Sequence, residues 1–162
     1  MSEALTAAYM SAYLEQSFAN ATRLLQLLND EREAISNSDA TALEGITSEK
    51  KHIARILENS TKECSAQLSH SDFEVGEKGM LDFFASCGQP HADQLTSRWN
   101  ELQDVLRQCQ ENNRINGQLL DSSQRRIKQA IGILQGQPTD QELYGRRGKT
   151  IGTSLTNSLT QA

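Results

Sequence analysis

The chain has 162 residues, a formal net charge of −5 and a hydrophobic fraction of 36%, with only four Phe, three Tyr and one Trp. One domain with a thin aliphatic core follows, which suits long helices better than a sandwich or barrel. The two prolines, Pro90 and Pro138, leave residues 1–89 free of any obligatory helix breaker, which excludes an all-β fold, and the negative balance opposes nucleic acid and anionic lipid as partners.

Apolar runs are too short for a membrane span, and the start Met1-Ser2-Glu3-Ala4 lacks the basic region of a signal peptide, so a cytoplasmic protein is expected. Cys64, Cys87 and Cys109 are odd in number and show no C-x-x-C spacing. Free, mostly buried thiols are the expectation.

The first predicted helix, about residues 3–35, carries Leu14, Phe18, Ala21, Leu25, Leu28 and Ile35 at three- and four-residue steps, interrupted by Arg32. Leu24 and Leu27 widen its apolar face, which therefore meets more than one neighbour. Ser36-Asn37-Ser38-Asp39 supplies turn formers and a helix cap in Ser38 or Asp39. A second helix, about 40–68, repeats the spacing with Leu43, Ile46, Ile53, Leu57 and Cys64, with Lys50 and Ser60 as polar interruptions. Residues 69–90 are rich in Gly and Ser but also hold Phe73, Met80, Leu81, Phe83 and Phe84. They read as a connector with one short helix, about 72–86, capping the end of a bundle.

The third long helix, about 91–135, has the strongest signal. Leu95, Trp99, Leu102, Leu106, Cys109, Asn113, Asn116, Leu120, Ser123, Ile127, Ala130 and Leu134 follow an unbroken four-three step, the spacing of a coiled-coil seam. At 1.5 Å per residue it spans about 68 Å, against about 50 Å and 44 Å for the first two helices. The expected fold is an all-α, elongated antiparallel three-helix coiled bundle over residues 1–135. Gly136-Gln137-Pro138 ends the last helix, and 136–162 reads as a flexible C-terminal tail that orders on a partner.

Familiar chemistry is hinted at and fails. Gly148-Lys149-Thr150 copies the end of a P-loop, but Leu143 stands where its first glycine belongs. Glu49 and His52 have the Glu-x-x-His spacing of di-metal bundles, yet His70 and His91 offer no second copy. Three scattered histidines give no grouping for nucleophilic catalysis. No enzyme activity, metal or cofactor is expected.

If the three helices run up, down and up, the last continues past the first by about three turns. Ile127, Ala130, Ile131, Ile133 and Leu134 would then form an apolar stripe with no intramolecular cover, the mark of an association surface. The connector, the tail, a second copy in a homodimer or a foreign helix could each occupy it. Asn113 and Asn116 lie in the same row, where a buried amide fixes register if it is hydrogen-bonded, or else contacts a partner.

Leu24-Leu25 to Glu31 followed by Leu43, then Lys50-Lys51, the block Asn112-Asn113-Arg114-Ile115-Asn116-Gly117-Gln118-Leu119-Leu120, and Leu143-Tyr144-Gly145-Arg146-Arg147-Gly148-Lys149-Thr150 together resemble the flagellar export chaperone FlgN family. The likeness runs from about residue 9 to 150, and its specific parts are the asparagine-glycine and tyrosine-glycine blocks. The resemblance implies a non-enzymatic cytoplasmic chaperone of the flagellar type III secretion system. Such a chaperone keeps hook-filament junction proteins soluble and delivers them to the export gate. It further implies that Leu119, Leu120, Ile127, Ile131 and Leu134 bind a C-terminal helical segment of the cargo and that Tyr144 and Gly145 dock at the export apparatus. Arg146 and Arg147 depart from the proline, acidic or small residues common there. The competing class is a homodimeric helical scaffold or adaptor without an export role.

Overall fold

The computed structural model describes residues 5–136. Of these, 87% are helical, in four helices with no strand among them: α1 (Ala7–Ser36), α2 (Ala40–His70), α3 (Glu77–Ser86) and α4 (His91–Leu134). An all-α helical bundle is therefore the fold, with α3 as the short element between the second and third long helices. The chain divides into two units after Gly117, so α4 belongs to both.

Local chemistry sets the helix ends. The Thr6 hydroxyl accepts the Tyr9 N–H at 3.1 Å and starts α1, later than the residue 3 expected from periodicity. Of the two cap candidates before α2, Asp39 takes the role, its carboxylate accepting the Ala42 N–H at 3.0 Å. Ser38 instead adopts φ +55° in the turn. α3 begins at Glu77, not at 72, because Asp72 and Gly76 both sit at positive φ, 64° and 117°. Gly79 is required by space: a Cβ there would lie 1.6 Å from the Glu74 carbonyl oxygen.

In the unit up to Gly117 the core joins all four helices: Met10, Leu14 and Ala21 of α1, Cys64 and Leu68 of α2, Met80, Phe83 and Phe84 of α3, and Leu95 and Leu102 of α4. The aromatic residues that the sequence concentrates in the connector pack in and against this core. Phe73 meets Phe83 edge-on at 5.5 Å, Phe83 meets Phe84 at 6.4 Å, and Phe84 meets Trp99 at 6.3 Å, a geometry that adds to the gain from burial. Two contacts give the register of α1 against α4. The Cys109 thiol points to the Ala21 carbonyl at 3.4 Å, and the Asn116 amide donates to the Leu28 carbonyl at 2.7 Å, each pair 88 residues apart. A constant offset means that the two helices run parallel, one heptad apart between these contacts.

All three cysteines are free, Cys64 and Cys109 buried and Cys87 half-buried. Burial pushes the Cys64 thiol up to about 11 and raises Cys87 and Cys109 as well. Since only the thiolate reacts, a maleimide at pH 8 should label Cys87 well before Cys64 or Cys109 in the folded protein, read by mass spectrometry of peptides. The raised Cys64 pKa favours folding fully below pH 9, the ordinary value. That contribution should fade as pH climbs toward 11, where the unfolded thiol ionises and the buried one does not; urea midpoints across this window test the sign. Truncating Phe84, 1% exposed, to Ala should destabilise the fold by about 3–5 kcal/mol, measured by urea unfolding.

Candidate functional site

The seam of α4 changes character along its length. Leu95, Leu102, Cys109 and Asn116 are buried, whereas no residue from Gly117 to Gly136 is. At about 100° per residue, Leu120, Ile127, Ile131 and Leu134 fall within about 60° of arc, the same arc that holds Leu95, Leu102, Cys109 and Asn116. The face that is core in one stretch is thus solvent-facing in the next. Ile127 is 57% and Leu134 87% exposed, and Leu119, Leu120, Ile131 and Ile133 are exposed too.

All five residues assigned to partner binding from the sequence lie on this exposed part of α4, four of them on one face. Leu119 stands about 90° to the side of it. Gly136, at φ +72°, closes the helix with its N–H on the Ile133 carbonyl, a glycine stop that a side chain would strain. Tyr144 and Gly145, assigned to docking, and the rest of the expected tail lie outside the described residues.

Just before the seam opens, a polar cluster joins three helices. The Asn116 side chain, 2% exposed, donates to the Leu28 carbonyl and, at 2.8 Å, to Glu31 Oε2. Its own oxygen accepts from Arg32 Nε at 3.1 Å. Arg32 also reaches Asn112 at 3.0 Å, and Asn112 donates to Asn29. From α2, Lys50 holds both oxygens of Glu31 at 2.9 Å and touches Asn113 at 3.3 Å. Arg32 and Lys50 read in the sequence as interruptions of two apolar rows; in the fold they are charged hydrogen-bond donors to the asparagine block. Periodicity missed them because it treats each helix alone. The one available signal was that both interruptions fall where an apolar row demands burial.

Beside this cluster Leu24, Leu28, Ala54, Leu106 and Cys109 line an apolar groove of about 420 Å³, rimmed by Lys50, Lys51, Gln110 and Asn113. Among the described residues no group of three or more His, Cys, Asp or Glu could hold a metal ion, and no helix is long and apolar enough to cross a membrane. The arrangement offers apolar contact and hydrogen-bonded register.

Because Asn116 and Arg32 share a direct hydrogen bond, their replacements should be coupled. Asn116→Ala is expected to destabilise by about 1–3 kcal/mol, and a cycle with Arg32→Ala should return an interaction energy of about 0.5–3 kcal/mol in denaturant titrations.

Comparison with known proteins places this architecture. A family described as FlgN protein matches over residues 1–151. No curated protein matches the chain. Among solved structures, that of a candidate flagella synthesis protein FlgN from Pseudomonas aeruginosa is similar, with a TM-score of 0.63 and 21% identity over 78% of this chain and 95% of that one; at this identity the likeness speaks for the fold. The chain therefore belongs to the FlgN family, a family of flagellar export-related chaperones.

Proposed function

We propose that the chain binds hook-filament junction proteins through the exposed seam of α4, prevents their premature assembly and delivers them to the gate of the flagellar type III export apparatus. The observation that carries this reading is the run from Gly117 to Gly136, which keeps a core-like apolar spacing without any buried residue. An apolar helical face of this kind is completed by a partner helix laid along it. Terminal segments of junction proteins are amphipathic, and covering their apolar faces in the cytoplasm would stop them associating with one another.

In this reading Leu120, Ile127, Ile131 and Leu134 are the main contacts, with Leu119 at the edge. Tyr144 and Gly145 supply the gate-docking element in the segment after α4. A tail that orders only on docking would lose conformational entropy, which weakens the complex for its area and keeps it releasable. No catalytic step is required of the chain.

Replacing Ile127, Ile131 and Leu134 together with Asp should abolish calorimetric binding to the C-terminal helical segments of junction proteins while leaving the far-ultraviolet circular dichroism close to that of the unaltered protein. Loss of the thermal transition in the variant would instead make these residues part of the core and overturn the assignment. Tyr144→Ala should retain cargo binding but reduce export of junction proteins into the medium; undiminished export would remove the docking role. The second reading, a homodimeric scaffold, requires the same seam to be occupied by another copy, and sedimentation showing a tight dimer at nanomolar concentration would favour it.

A further inference from the structure

Beyond Asp121 the exposed seam is flanked by charge of one sign. From Ser122 to Gly136 the chain has no Asp or Glu but holds Arg125, Arg126 and Lys128, all exposed, in a protein whose net charge is −5. On a regular helix Arg126 lies about 110° to one side of the seam's centre and Lys128 about 90° to the other, while Arg125 lies on the far face. No ion pair involves any of the three among the described residues. This contrasts with α4 before Gly117, where Arg98, Arg107 and Arg114 each pair with an acidic residue three positions away. Between the large residues Leu120, Ile127 and Leu134 the seam carries the small Ser123 and Ala130, leaving room for bulky side chains from a facing helix.

Taking the partner-binding role of the seam from the proposed function, we infer that its occupant is an acidic amphipathic helix: one with large aliphatic residues facing Ser123 and Ala130 and with carboxylates along both margins to meet Arg126 and Lys128. Charge complementarity speaks against a second copy and an anionic membrane. A second copy brings the same three cations to the seam against the single carboxylate of Asp121, so like charge outweighs opposite charge along the margins. An anionic membrane would attract these few cations, but it would meet a molecule of like net charge, with no aromatic anchor between 118 and 136. Flanking charge of this kind selects among apolar helices and speeds encounter rather than supplying the main affinity.

The test uses the full chain and two synthetic helical peptides with identical Leu and Ile faces, one flanked by Glu and the other by Lys, titrated by fluorescence anisotropy at low salt. The Glu-flanked peptide should bind about tenfold more tightly, with the ratio shrinking as salt is raised. In Arg126→Glu/Lys128→Glu the preference should reverse, with circular dichroism unchanged. Equal binding of the two peptides would overturn the charge inference and leave the seam as a binding surface. Binding of neither would overturn both readings. Capture of the chain by phosphatidylglycerol vesicles in competition with the Glu-flanked peptide would assign the surface to lipid and overturn the inference, as would a dimer dissociated by Ile127→Asp.

Discussion

The buried amide of Asn116 holds α1 and α4 at one offset. Its two N–H groups are taken by the Leu28 carbonyl and Glu31 and its oxygen by Arg32, so no hydrogen-bonding group of the side chain is left over. An amide that would be costly if unpaired becomes a device for register, because sliding α4 along α1 by even one turn would strand it. Leu95, Leu102 and Cys109 pack in the rows that this offset dictates. The same register determines which face of α4 is used up by its own core.

That face is continuous along the helix, but its environment is not. Leu102 and Leu134 have similar chemistry, yet one is 2% and the other 87% exposed. The helix carries an apolar seam past its buried section. Leu, Gln, Arg, Lys and Ala favour the helix there despite Ser122, Ser123 and Gly132, and the stretch continues a long helix already formed. Membership of the FlgN family gives the chain a setting in flagellar export, and in the proposed function the uncovered seam is where its partner binds.

The two ends of the core also differ in kind. Around α3 the packing is aromatic and apolar, with the ring contacts running from Phe73 to Trp99. Around Asn116 it is polar and ionic, with the Lys50–Glu31 pair only partly exposed. Apolar packing supplies cohesion without choosing a single alignment, and the polar cluster supplies the alignment.

Much of this was legible from the residues alone. The 3.5-residue spacing, the lack of proline before Pro90 and the turn at Asn37-Ser38-Asp39 are local properties, and they sufficed for long helices, an all-α bundle and the apolar row through Leu134, as did the resemblance of the asparagine-glycine block for the family. The sequence could not say that Arg32 and Lys50 meet the asparagines, since those pairings join positions more than sixty residues apart and depend on which helix faces meet. Nor could it say where along α4 burial stops, because the spacing of Cys109 and Asn116 continues unchanged into Leu120 and Ile127. Periodicity records which side of a helix is apolar, whereas only the placement of the other helices decides how far that side is covered.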